Sequence, residues 1–282
     1  MHLFELLAEP LHVAFMQRAM IAVIMVGAVC AVVGTYVVLR GMAFLGDALS
    51  HAILPGVAAG YLIHGPSHFA LFWWSLGTAL ATSLGIGAVS RRTQLKEDTA
   101  IGIIFAGMFA LGIALISTMH GYAADLTHIL FGNVLSVGPG DLWLIGIFGG
   151  IAVLAVVLFY KELLVVSFDP VLAATLRLPA AALHYLLLLL IAMAIVVSLQ
   201  AVGVALMLAM LVTPPATAYL VVRRMKPMMF LAAGIGAFSG VAGLYLSYYL
   251  NMASGAAIVL VSTALFLLAL ILSPRRTALR RS

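Results

Sequence analysis

The feature that most constrains this chain is a recurrence of apolar runs, each about the 20 residues that a helix needs to cross a bilayer core. They fall at 19–39, 42–63, 69–89, 99–118, 142–160, 183–199, 202–222, 228–250 and 256–272. In hydrocarbon a backbone must satisfy its own N–H and C=O groups, which leaves helices as the spanning element for runs of this length. The predicted fold class is therefore all-α, a polytopic transmembrane helical bundle of about eight or nine spans. One domain covers residues 1–282, ending in a short polar tail at 273–282. With 8% charged residues and a mean hydropathy of +1.22, a soluble domain of the usual roughly 25% charge is excluded.

The net charge of +5 would suggest nucleic acid in a soluble protein. Here the basic residues sit in short clusters between apolar runs, and no basic patch is left over for a nucleic-acid partner. If the chain crosses nine times and ends inside, every Lys and Arg except Arg18 falls on the cytoplasmic side, as the positive-inside rule requires. An eight-span alternative, with the first hairpin merged or re-entrant, would move the N-terminus to the other face. Cys30 is the single cysteine, so disulfides within the chain and thiolate metal clusters are excluded. The opening residues are acidic and lack a small-residue cleavage site, so no removed signal peptide is expected.

Within the second run, Phe44 to Gly60 places a carboxylate, Asp47, and an imidazole, His51, four positions apart. On a helix the two share one face and can converge on a cation. Pro55 cannot donate to the His51 carbonyl, so the helix is expected to weaken there. Gly46, Gly56 and Gly60 remove bulk and invite close approach by neighbouring helices. A carboxylate at this depth costs about 2.5–3.5 kcal/mol, so it is expected to face a cavity or a partner. Three readings stay open on residues alone: a metal-ligand pair, a polar Asp–His clasp, or a proton relay. One chain supplies two ligands where a divalent transition metal takes four or more. A two-fold homodimer would double the set. If the helix is regular from Arg40, Asp47 lies only about 10 Å from the inner edge.

Other polar positions carry less. His64 and His68 flank a turn with Gly65 and Pro66 and read as interfacial side chains. Asp125 and His128 are expected to cap or dock a short outer helix rather than bind metal. Glu97 and Asp98 suit the N-terminus of the fourth span. Pro214 and Pro215 suggest a kinked helix in the seventh span and, with Pro55, are candidate pathway or gate positions. The methionines are scattered and read as packing.

The segment 161–179 is the informative loop on the basic side. Asp169 followed by Pro170 predicts a helix start, with Leu172 and Leu176 on one face and an end near Arg177. Such a helix suits lipid headgroups or a docked partner equally well. The chain has no GxxxxGK[ST] phosphate loop, so any ATP that drives transport is hydrolysed by another subunit.

Three stretches then take on a common meaning. GDALSHAILPGVAAGYL (46–62), SFDPVLAATLRLP (167–179) and QAVGVALMLAMLVTPPATA (200–218) resemble the membrane permeases of the ATP-binding cassette importers for zinc, manganese and iron. The likeness runs from the first span to the ninth. It implies a type II importer-like permease, not itself an enzyme, in the cell membrane of a prokaryote with its C-terminus cytoplasmic. It also implies a homodimer, two cytoplasmic ATP-binding subunits and an extracytoplasmic solute-binding protein as partners. The divalent metal is then transported substrate rather than a resident cofactor, with Asp47 and His51 meeting it in the translocation path. Asp169, Pro170, Leu172, Leu176 and Arg177 become the element coupled to the ATPase. The resemblance favours the metal-site reading and leaves zinc, manganese and iron open, since Asp and His serve all three.

Two alternatives differ in class. A proton-coupled secondary metal transporter would use Asp47 and His51 as its relay and need no ATPase. An intramembrane hydrolase is disfavoured, because HExxH is absent and adjacent Ser50 and His51 point apart on a helix.

Overall fold

The computed structural model describes residues 9–93, 95–118 and 134–273. Asp125, His128 and the arginines of the tail lie outside these residues. Among the described residues nine helical stretches are long and apolar enough to cross a membrane, matching the upper of the two predicted span counts.

The first span is α1 (Ala14–Leu39). The second is split into α2 (Ala43–Ala52) and α3 (Leu54–His64), and α4 (His68–Thr93) and α5 (Glu97–Ser117) follow. The fifth span, α6 (Pro139–Leu158), contains a π-helical turn at Ile145–Gly149. Two short helices, α7 (Tyr160–Phe168) and α8 (Pro170–Thr175), precede α9 (Ala180–Val202). The chain closes with α10 (Val204–Val221), α11 (Met225–Leu250) and α12 (Ser254–Leu272). Most helices run a few residues past the apolar stretches that signal them. A helix continues its backbone ladder into the interface, where polar ends such as His68 and Arg91–Thr93 meet water.

Burial sorts the helices. α1, α2–α3 and α9 form the centre, whereas α5, α6 and α12 turn most of their apolar surface outward. α1 packs on α10, α11 and α9. α4 packs on α9 and α3, and α5 lies against α2, α3 and α4. Two groups, α10–α12 and α2–α5, are thus joined through α1 and α9. Cys30 is buried in α1 with its Sγ 3.3 Å from the Ser198 hydroxyl of α9.

Close approach of α1 and α10 depends on one residue. A β-carbon at Gly34 would overlap the Leu211 carbonyl oxygen and stand 3.1 Å from Pro215 Cγ. That carbonyl is the one Pro215 leaves without its usual donor four residues on. Both prolines, Pro214 and Pro215, are buried inside a helix that continues through them, with Pro215 against α1. Leu211 also reaches α2, where a β-carbon at Gly46 would come 2.9 Å from Leu211 Cδ2.

At the end of the bundle where α1 finishes and α9 begins, α7 meets α11. Lys226 Nζ lies 5.2 Å from the centroid of the Tyr160 ring. Desolvation by burial pushes the Tyr160 phenol above its usual range, and a hydrogen bond from the Lys226 backbone partly offsets this.

Candidate metal site

α2 begins because α1 ends in a closed turn. The Met42 N–H bonds to the Val37 carbonyl and the Gly41 N–H to the Val38 carbonyl, with Gly41 at φ +71°. This is a Schellman stop whose left-handed position suits glycine. Helix resumes at Ala43, so the chain ahead of Asp47 is helical rather than unwound, and Asp47 lies about 6 Å along the axis at 1.5 Å per residue.

The break falls on the far side of the pair. α2 ends at Ala52, α3 starts at Leu54 with Pro55 in its first turn, and the Ile53 N–H turns to the His51 carbonyl. Pro55 thus interrupts the span where the sequence predicts. Gly112 of α5 seats at this break, where a β-carbon would come 2.7 Å from Leu54 Cβ and 3.1 Å from the Pro55 nitrogen. Gly56 and Gly60 both lie against Trp74 of α4, confirming the expected close approach. A groove of about 550 Å³ opens between α3, α4 and α5, lined in part by Pro55, Gly56, Trp74, Thr78 and Met108.

Asp47 and His51 do share a face. His51 Nε2 lies 3.6 Å from Asp47 Oδ1, and the two side chains are 30% and 43% exposed. That separation is too long for a hydrogen bond but within ion-pair contact. It is close to the roughly 3.4 Å expected between two donors bound at about 2.1 Å to one tetrahedral ion. The imidazole is set by aromatic packing from α5, edge-on to Phe109 at 5.7 Å and tilted to Phe105 at 6.3 Å. Phe105 stacks on Phe109 and receives Phe44 edge-on. The inner nitrogen, Nδ1, is buried without a partner, while Nε2 is the atom presented beside the carboxylate. The Ser50 hydroxyl donates 2.7 Å back to the Asp47 carbonyl. It is thereby engaged away from His51, against a Ser–His nucleophile.

Among the described residues no group of three or more His, Cys, Asp or Glu side chains converges. The pair therefore offers two side chains where a divalent transition metal takes four or more ligands. Phe105 and Phe109 escape sequence reasoning, because an aromatic residue within an apolar span carries no signal of what it touches. His64 and His68 end α3 and begin α4, and both are exposed. Among the described residues, Asp47 is the one acidic residue in the spans away from a helix end, since Glu97, Asp98 and Asp141 all sit in first turns.

The segment after the fifth span folds as its residues indicate. Asp169 Oδ1 accepts from the Leu172 N–H at 2.8 Å and Pro170 opens α8. Phe168, Val171, Leu172 and Leu176 are exposed around it. The helix stops in a second Schellman turn, with Leu178 N–H to the Ala173 carbonyl and Arg177 N–H to the Ala174 carbonyl. Here Arg177 occupies the left-handed position at φ 53°.

Residues 12–273 match the model of the ABC 3 transport family. The chain belongs to that family. It is 48% identical over 268 residues to the "Manganese transport system membrane protein MntC" of Halalkalibacterium halodurans, covering 95% of this chain and 90% of that relative. The "Manganese import system permease protein ScaB" of Streptococcus gordonii is 42% identical, covering 95% and 94%. A "Probable iron transport system membrane protein" of Haemophilus influenzae is 38% identical, covering 97% and 99%. Among solved structures, a chain of "PsaBC from Streptococcus pneumoniae in complex with Fab" matches with a TM-score of 0.83 at 38% identity, covering 99% of both chains. As a member of the ABC 3 transport family, with nine candidate spans among its described residues, the chain is an integral membrane permease.

Proposed function

We propose that this permease forms the path of an ATP-driven importer of divalent transition-metal ions, with manganese as its substrate. Asp47 and His51 would bind the ion in transit, and a second copy of the chain, related by two-fold symmetry, would supply another Asp47 and His51. The observation that carries the reading is that His51 Nε2 and Asp47 Oδ1 stand side by side, 3.6 Å apart and partly exposed, on one face of a membrane span, where two donors can meet one cation. The manganese named for several relatives supports the choice of metal. The end bearing Arg40 and α8 would face the cytoplasm, as the positive-inside rule favours. α8 would then seat on a separate ATP-binding subunit, and a solute-binding protein would deliver the ion at the opposite end. Closure of the ATPases moves the α8 helices and changes which side of the site is open. The ion must be held loosely enough to leave, as transport requires.

The test is ATP-dependent uptake of manganese, zinc and iron in cells carrying Asp47→Ala. Loss of uptake with the permease still assembled in the membrane is expected. Uptake at the wild-type rate, or uptake that follows the proton gradient instead of ATP, refutes the assignment.

A further inference from the structure

Three charged or titratable side chains outside the metal site converge where α1, α5 and α9 meet. Arg40 Nη2 lies 3.3 Å from Glu97 Oε1 and 3.2 Å from His184 Nδ1, and His184 Nδ1 lies 3.5 Å from the same Glu97 oxygen. The side chains are only 14%, 28% and 9% exposed. The charged groups bearing on His184 are Glu97, Arg40 and, from the end of α4, Arg91.

Each member is the terminal or near-terminal residue of a helix with a defined task. Arg40 caps α1 and opens the turn into α2, in which Asp47 lies four residues after the first. Glu97 is the first residue of α5, the helix whose Phe105 and Phe109 hold His51. His184 stands in the first turns of α9, which follows the α8 stop after only Leu178 and Pro179. The cluster therefore joins the helix that leaves α8 to both helices that shape the metal site.

A device for stability alone would be an odd use of these groups. A buried ion pair adds little net stability over apolar packing, while it fixes one relative placement of its helices strongly. Arg40 Nη1 is, moreover, buried without a partner. An unmade bond to a buried donor is costly, and such a donor is available to re-pair when the helices shift.

We propose that Arg40, Glu97 and His184 form a positioning clasp that passes movement of α8 through α9 to the Asp47–His51 site, so that ATP hydrolysis and ion release stay in step. This rests on the function proposed above, with α8 as the ATPase-facing helix. None of the three is a ligand in the proposed site.

The test uses the full transporter, permease with its ATPase and binding protein, in liposomes with manganese alone as probe. The quantity read is manganese moved per ATP hydrolysed. Glu97→Gln and His184→Gln are expected to lower that ratio at least tenfold, with the complex recovered in normal yield and hydrolysis within threefold of wild type. The exchange Arg40→Glu with Glu97→Arg should restore the ratio to within threefold. An unchanged ratio in both single variants overturns the clasp. So does a parallel loss of assembly and hydrolysis in both, uncorrected by the exchange, because that marks a structural role. If the wild-type complex hydrolyses ATP but moves no manganese, zinc or iron, the proposed function falls and the clasp with it. Transport by wild type and by both variants alike refutes the clasp alone.

Discussion

Gly34→Ala probes the contact between α1 and α10 with a single methyl group. The new carbon would overlap the Leu211 carbonyl oxygen and lie 3.0 Å from the Leu211 carbonyl carbon and 3.1 Å from Pro215 Cγ. Carbon atoms pack at about 3.5–4.0 Å, and the overlapped oxygen is closer still, so the two helices must part by about an ångström or more. The obstructing atoms are backbone and a proline ring, neither of which turns aside, so the penalty belongs at the upper part of the roughly 1–3 kcal/mol range for overpacking. For a chain of this size that is a fall of about 4–12 °C in unfolding temperature. Uptake should suffer too, because Leu211 also abuts Gly46 beside Asp47. The assay is thermal unfolding of purified permease in detergent, with Gly234→Ala as control, since a β-carbon there meets nothing within 4 Å. Gly34→Ala unfolding within a degree of wild type, or no lower than Gly234→Ala, refutes the reasoning.

Phe109→Ala removes the edge-on partner of His51. Since such a ring pair contributes about 0.5–1.5 kcal/mol, the manganese concentration for half-maximal uptake should rise about two- to tenfold, and an unchanged value would count against the aromatic clamp. Leu172→Asp places a charge on the exposed face of α8; recovery of the ATPase with the permease, or transport per ATP, should drop, and a transport-competent complex contradicts docking at this helix. At Arg177, glycine keeps the left-handed turn while valine cannot adopt φ 53° without strain. Transport by Arg177→Gly should exceed that by Arg177→Val at least threefold, and equal rates would show that the turn is not what matters.

Much of this fold is legible in the sequence because lipid imposes a length on every span. Pro55 likewise announces the break near Ile53, since a proline removes a particular backbone bond wherever it sits in a helix. Asp47 and His51 stand out by being polar where polarity is costly. The clasp residues are hidden by the opposite circumstance. Arg40 and Glu97 lie at span ends, where charge is expected and reads as topology or as helix-end electrostatics, and His184 is an ordinary histidine at the start of an apolar run. Arg40 is separated from Glu97 by 57 positions and from His184 by 144, so only the packing of α1, α5 and α9 brings them together. The proline pair at 214–215 signals a distorted helix, but the orientation that sets Pro215 against Gly34 is fixed by a neighbour in another part of the chain.

The interruption at Ile53 divides the second span into two pieces with partly different neighbours. Both lie against α5; the piece bearing the carboxylate and imidazole also meets α9 and α10, while the following piece is seated on Trp74 of α4 through Gly56 and Gly60. Under the proposed function, the backbone bonds missing around Ile53 and Pro55 would let the half bearing Asp47 and His51 tilt without its continuation following rigidly.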